Sequence, residues 1–135
     1  MAEKVLIDST VLISHLRARS HVQTVFEWAV KHFEQCLISS ITAWEIEYGA
    51  IRAGRISDLN KLLGLVEVLP FGLAEAQAAA LLHAELVSRN QVIDIRDVFI
   101  AATSIVHNLP LLTDNVVHFK RVKGISLVDE RSVPS

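Results

Sequence analysis

The apolar residues of this chain recur at two spacings, and the switches between them divide it into alternating extended and helical pieces. Val5–Leu6–Ile7 is a short unbroken apolar run with two β-branched members, which predicts a strand buried on both faces. The run stops at Asp8, and after Ser9 and Thr10 a helical pattern takes over residues 11–18. Val22, Val25, Phe26, Ala29, Val30 and Phe33 then recur at helical spacing, predicting a helix over 21–34 with Ser20 as its N-cap. Cys36–Leu37–Ile38 reads as a second strand. Ser39, Ser40 and Thr42 offer caps for a helix over 41–53, with Gly54 as the residue that ends it. A short helix over 57–63 closes at Gly64, and a strand over 65–69 ends at Pro70. Residues 73–89, rich in Ala, Leu and Glu, predict a long helix that stops at Asn90.

The second half keeps the alternation. Residues 93–96 read as a loop or short extended piece, and Asp97 opens an apolar helix that runs to His107. Its first turns are apolar all round, which predicts burial. Asn108–Leu109–Pro110 is a turn, and Leu111–Leu112–Thr113 a strand with Asp114 and Asn115 at its end. Val116 to Phe119 is a helical turn, Ile125 to Val128 a last strand, and the tail after Asp129 is polar. Strands alternating with helices predict an α/β fold with a parallel sheet and right-handed crossovers. With no repeat and no linker, 135 residues predict one domain over 1–135.

Composition narrows the classes. At 51% hydrophobic residues the chain has ample material for a core, yet no apolar run approaches the ~20 residues of a membrane span. The start, Met1–Ala2–Glu3–Lys4, is too short and acidic for a signal peptide, and the single Cys36 cannot form an intramolecular disulfide, so a cytoplasmic protein is expected. A formal net charge of −2 lacks the strongly basic footprint of many nucleic-acid binders, which leaves local basic patches or metal ions to bring in a polyanion. The six histidines form no His-x-x-x-His pair, and no Cys-x-x-Cys occurs, so a zinc site fits poorly. There is no Gly-rich phosphate loop and no Gly-x-Ser-x-Gly elbow.

Most of the fifteen acids, among them Glu27, Asp58, Glu75 and Glu85, sit in amphipathic contexts and read as solvated faces. Four places differ. Asp8 ends the first strand, where ligands collect in open α/β sheets, although a carboxylate there also serves as an N-cap. Glu45 shares a helix face with Gly49, four residues on, and an interior glycine marks close approach of another element. Asp97 precedes the apolar helix, and its plain reading is again an N-cap. Asp114 and Asn115 end the fourth strand. Acids gathered in one crevice of a parallel sheet repel and raise each other's pKa. A divalent hard cation, Mg²⁺ or Mn²⁺, offsets them through oxygen-only ligands and points to phosphodiester hydrolysis. The Thr10 and Thr113 hydroxyls are then candidates to orient ligands or water.

Four stretches in this order resemble the PIN-domain ribonucleases, and within them the VapC-type toxins: Leu6–Ile7–Asp8–Ser9–Thr10–Val11–Leu12–Ile13, Thr42–Ala43–Trp44–Glu45–Ile46–Glu47–Tyr48–Gly49–Ala50, Asp97–Val98–Phe99–Ile100–Ala101–Ala102, and Leu112–Thr113–Asp114–Asn115–Val116–Val117–His118–Phe119. The resemblance implies a three-layer α/β/α sandwich around a parallel sheet of four to five strands. It implies a Mg²⁺- or Mn²⁺-dependent endoribonuclease, a homodimer restrained by a cognate antitoxin protein, with RNA as substrate. The family's three acids fall on Asp8, Glu45 and Asp97, and its next position on Asn115, with Asp114 just before it as the alternative fourth acid. The helical segment 41–63 and the first two helices are the expected partner face. Arg17, Arg19, Arg52, Arg55, Lys120, Arg121 and Lys123 become candidates to hold RNA phosphates. Two other readings stay open: a catalytically silent PIN-like binding module, and a nuclease using the same acids outside a toxin–antitoxin pair.

Overall fold

The computed structural model describes residues 3–18, 22–129 and 132–134. Four strands, β1 (Lys4–Ile7), β2 (Gln35–Ser39), β3 (Glu67–Leu69) and β4 (Leu111–Leu112), form one parallel sheet in the order β3-β2-β1-β4. The chain lays strands outward from β1 to β3 and then returns to the other side of β1. That reversal makes the carboxyl ends of β1 and β4 the switch point of the sheet, where a crevice opens.

Strand alternation splits the core into two layers. Leu6, Leu37 and Leu111 face α5 (Leu73–Ser88), α6 (Ile95–His107) and α7 (Val116–Phe119), packing with Leu82, Leu86, Ile100 and Phe119. Val5, Ile7, Cys36, Ile38 and Leu112 face the other way. They pack with Val11 and Leu12 of α1 (Ser9–Arg17), Phe26 of α2 (Val25–His32), Ile46 of α3 (Ser40–Ala53), and Leu59 and Leu62 of α4 (Ile56–Leu63). The three-layer sandwich expected from the sequence is therefore present.

Local chemistry explains the helix ends. Thr24 caps α2, its hydroxyl accepting from the Glu27 N–H at 3.1 Å while the Glu27 carboxylate accepts from the Thr24 N–H. The cap is thus Thr24, and α2 starts four residues after the expected boundary; Ser20 lies outside the described residues. Helix α6 starts at Ile95 because the Asp94 carboxylate accepts from the Arg96 N–H at 2.9 Å. Asp97 is therefore the third residue of the helix and not its opener, and Ile95 and Arg96 are exposed. Gly54 ends α3 at φ 69°, and Asn108 ends α6 at φ 52°, both in the left-handed region that stops a helix.

Three other expectations give way. The last strand is reduced to an isolated bridge between Leu111 and Leu127. Gly49 is exposed, and a Cβ there would meet nothing within 4 Å, so no element approaches it closely. Glu75 is buried: its Oε1 accepts from the Gly72 N–H at 2.8 Å at the start of α5, and its Oε2 lies 2.8 Å from His107 Nε2 on α6. Those bonds, the Gly72 one foremost, hold its pKa below the usual carboxylate value. Cys36 is buried in the core as expected, and burial pushes its thiol to about 11.

Leu6 is fully buried in the central strand, so Leu6→Ala is expected to cost about 2–5 kcal/mol. Val117 is exposed, and Val117→Ala should stay within about 0.5 kcal/mol. Urea titration of both variants checks the pair.

Candidate functional site

The crevice at the switch point is built on Asp8. Its peptide N–H donates to the Leu112 carbonyl at 2.9 Å, which carries the β1–β4 pairing one residue past the strand. Its side chain is 1% exposed, and both of its oxygens accept hydrogen bonds. Oδ1 accepts from the Ser9 N–H at 2.8 Å, and Oδ2 accepts from Thr10 Oγ1 at 2.9 Å and Thr113 Oγ1 at 2.7 Å. Asp8 is thus the N-cap of α1 as well as a crevice acid. Burial raises its pKa most strongly, the three hydrogen bonds oppose that, and Asp114 adds to it.

Glu45 enters from α3, on the neighbouring strand's crossover. Burial is the main cause of its raised pKa; Arg96 lowers it, and Asp8 and Asp94 raise it. Its Oε2 accepts from Arg96 Nη1 at 3.4 Å. Its Oε1 is buried, and although Ser9 stands close enough to ease the charge, no donor completes a hydrogen bond to that atom. Thr42 Oγ1, one turn earlier in α3, is likewise buried without a partner.

Asp97 enters from the first turn of α6. Burial and then the charges of Asp8, Asp94 and Glu45 raise its pKa to about 6, against an opposing contribution from His118. Asn115 faces it: Asn115 Nδ2 donates to Asp97 Oδ2 at 3.5 Å and lies 2.8 Å from His118 Nδ1. Asp114 turns the opposite way. Its N–H donates to Thr10 Oγ1 at 3.2 Å, and its Oδ2 accepts from Ser14 Oγ on α1 at 3.2 Å. Thr113 ties the two sides together, because its hydroxyl oxygen also accepts from the Asn115 N–H at 2.9 Å.

Asp8, Glu45, Asp97 and Asn115 therefore sit around one crevice, with Thr10 and Thr113 on Asp8. The cations expected to serve a polyanion are more dispersed. Arg55 Nη1 donates to the Leu16 carbonyl at 2.6 Å, Arg121 Nη1 to the Val92 carbonyl at 2.9 Å, and Arg52 lies 5.8 Å above the Tyr48 ring. Arg17 and Lys120 are exposed, Lys123 lies 3.9 Å from Glu85, and Arg19 lies outside the described residues. Sequence reading passed over Arg96 and His118. Asp94 two residues before Arg96, as an N-cap, was the available signal for the first. His118 follows Asn115 by one helical turn, but nothing in that spacing singles it out.

The donor set suits a hard cation: carboxylate and amide oxygens, three acids whose pKa values are raised chiefly by burial, and one buried carboxylate oxygen with no partner. Among the described residues no three His, Cys, Asp or Glu side chains stand at ligand spacing already. Glu45 Oε2 is turned toward Arg96.

Comparison with known proteins matches residues 5–125 to the PIN domain family model. The chain is 31% identical to Ribonuclease VapC1 of Rickettsia felis, over 91% of this chain and 93% of that protein. Its fold superposes on VapBC2 of Rickettsia felis bound to a promoter DNA fragment with TM-score 0.81 at 23% identity, covering 93% of this chain and 97% of that one. It superposes on a toxin–antitoxin complex of Klebsiella pneumoniae with TM-score 0.73 at 24% identity, covering 90% and 94%. No helix among the described residues is long and apolar enough to cross a membrane.

The raised Asp97 pKa has a stability consequence. Between the ordinary aspartate value of 3.8 and about 6 the folded metal-free chain holds a proton at Asp97 that the unfolded chain has lost. This group's contribution therefore weakens as pH rises through that window and stays weakened above it. With EDTA present, Asp97→Asn is expected to melt above the parent at pH 7. The advantage should shrink sharply by pH 4, where the folded parent is protonated at this site and the unfolded chain partly so. Thermal melts followed by circular dichroism at the two pH values check the sign.

Proposed function

This chain belongs to the PIN-domain family, and on that premise we propose that it is a metal-dependent endoribonuclease, the toxin of a toxin–antitoxin pair. The observation that carries the reading is electrostatic. Asp8, Glu45 and Asp97 come from three separate elements, yet the charge of Asp8 raises the pKa of both Glu45 and Asp97, and that of Glu45 raises the pKa of Asp97. Such an arrangement costs stability and is kept where a cation or a reaction uses it.

In this reading Asp8, Glu45 and Asp97 hold Mg²⁺ or Mn²⁺. When bound, the cation supplies Lewis acidity at the phosphate oxygens and makes a water a better nucleophile. The protein's part is orientation. Thr10, Thr113 and the Ser9 N–H fix both oxygens of Asp8, so its carboxylate meets the crevice in one pose. Asn115, its amide engaged by His118, faces Asp97 and positions water without adding a charge. Asp114 instead fastens α1 to the end of β4 through Ser14. Arg17, Arg52, Arg55, Lys120 and Lys123 are exposed cations available to RNA phosphates.

The antitoxin partner is assigned to the groove of about 340 Å³ between α1 and α3. Ile13, Leu16, Ile46 and Ala50 give it an apolar floor, and Arg17 and Arg55 stand at its rim. An apolar segment carrying acidic residues complements both features. A second copy of the chain is assigned to the outer face of α5. Leu73, Leu81 and Val87 are exposed there, with Ala80 and Ala84 between them and no charged residue on that face.

Purified Asp97→Asn is expected to lose cleavage of structured RNA in Mn²⁺ while staying folded. Asn115→Ala should slow cleavage, and Asp114→Ala should leave it nearly unchanged. Cleavage by Asp97→Asn at the parental rate would refute the site assignment. No cleavage by the parent in any divalent metal would favour the silent binding module.

For the dimer, light scattering of the parent at micromolar concentration is expected to give twice the chain mass, and Leu81→Glu to give a monomer. A monomeric parent removes the α5 assignment.

A further inference from the structure

The acids of the crevice are answered by a cation that belongs to the chain itself. Arg96 stands in the first turn of α6, beside Asp97. Asp94 grips it along one edge: Nε lies 3.2 Å from Asp94 Oδ1 and Nη2 lies 3.3 Å from Oδ2, a two-point fork. Asp94 Oδ1 also accepts from the Arg96 N–H at 2.9 Å, so the cap that starts the helix fixes the arginine's backbone too. The remaining nitrogen, Nη1, donates to Glu45 Oε2 at 3.4 Å, across 51 residues of sequence. Among the described residues this is the contact that links Glu45 to a positive charge. The opposite oxygen, Glu45 Oε1, is the buried atom left without a hydrogen bond.

We propose that Arg96, gripped by Asp94, is a positioning residue that serves as the built-in counter-ion of the acidic crevice, holding Glu45 by one oxygen and leaving the other to a divalent cation. This rests on the reading of Asp8, Glu45 and Asp97 as cation ligands and adds what sets the affinity. A divalent ion entering the crevice meets Arg96 as a like charge and competes with it for Glu45. At 52% exposure the arginine interacts through much solvent, so the competition tunes binding and does not abolish it. The protein gains a metal-free state in which Glu45 is held in one orientation by Arg96.

The test uses the full chain without RNA and reads Mn²⁺ binding by calorimetry, with melts in EDTA and in excess Mn²⁺. For Arg96→Gln, Mn²⁺ is expected to bind at least about threefold more tightly than to the parent. The EDTA melt should fall, because the crevice has lost its counter-ion, and the gap between the EDTA and Mn²⁺ melts should widen. Arg96→Lys keeps the charge and loses the fork, so its Mn²⁺ affinity should lie between those of the parent and Arg96→Gln. Mn²⁺ affinity of Arg96→Gln equal to or weaker than the parent's overturns the counter-ion role. A parent that binds no Mn²⁺ fails at the earlier step, the ligand assignment itself, and the two failures are told apart in the same titration.

Discussion

A carboxylate buried at the end of the central strand is the constraint around which this chain is arranged. Asp8 is removed from water at the point where β1 and β4 part, and an ionised group there is costly unless its oxygens are met. They are met by donors from both sides of the switch point: the Ser9 N–H and Thr10 hydroxyl from α1, and the Thr113 hydroxyl from the end of β4. Those bonds need the strands in register, and the register needs the two apolar layers that alternate along β1. Packing, sheet order and acid geometry are thus one problem, solved together.

The same place shows a conflict between stability and chemistry. Glu45 and Asp97 add negative charge beside Asp8, and all three carboxyls are harder to ionise than free ones. A fold selected for stability alone would remove two of them. The chain instead surrounds the cluster with partial answers: an arginine on Glu45, a histidine near Asp97 and an amide at the end of the fourth strand. Asn115 brings an oxygen and a nitrogen without a fourth charge, which limits the repulsion that the crevice must carry. Such local cost with nearby compensation is the pattern expected of a working site.

The helices outside the crevice have surfaces that their own core does not use. Helix α5 is apolar on the side turned to solvent as well as on the side packed against α6. The α1–α3 groove joins an apolar floor to two arginines and reaches Glu45 at one end. The groove lies on the helices that carry Ser9, Thr10 and Glu45, and α5 packs its other side against α6, which carries Asp97.

The sequence by itself determined the alternation of strands and helices, the two-sided burial of β1, and the placement of Asp8 at a strand end. These are local matters: a side-chain period of two against 3.6, a break at a polar residue, a glycine or asparagine that stops a helix. The stretches around Glu45, Asp97 and Asn115 could be marked as a group because their order along the chain resembles a family. Tertiary structure decided what local pattern could not. It made Asp94 the cap of α6 in place of Asp97, since a cap is known by which N–H its oxygen reaches. It buried Glu75, which its amphipathic surroundings left looking solvated, because His107 arrives from α6. It turned Asn115 toward Asp97 and Asp114 toward Ser14, and it brought Arg96 to Glu45 across 51 residues. Contacts between distant segments depend on how whole layers pack, and no spacing within one segment encodes them.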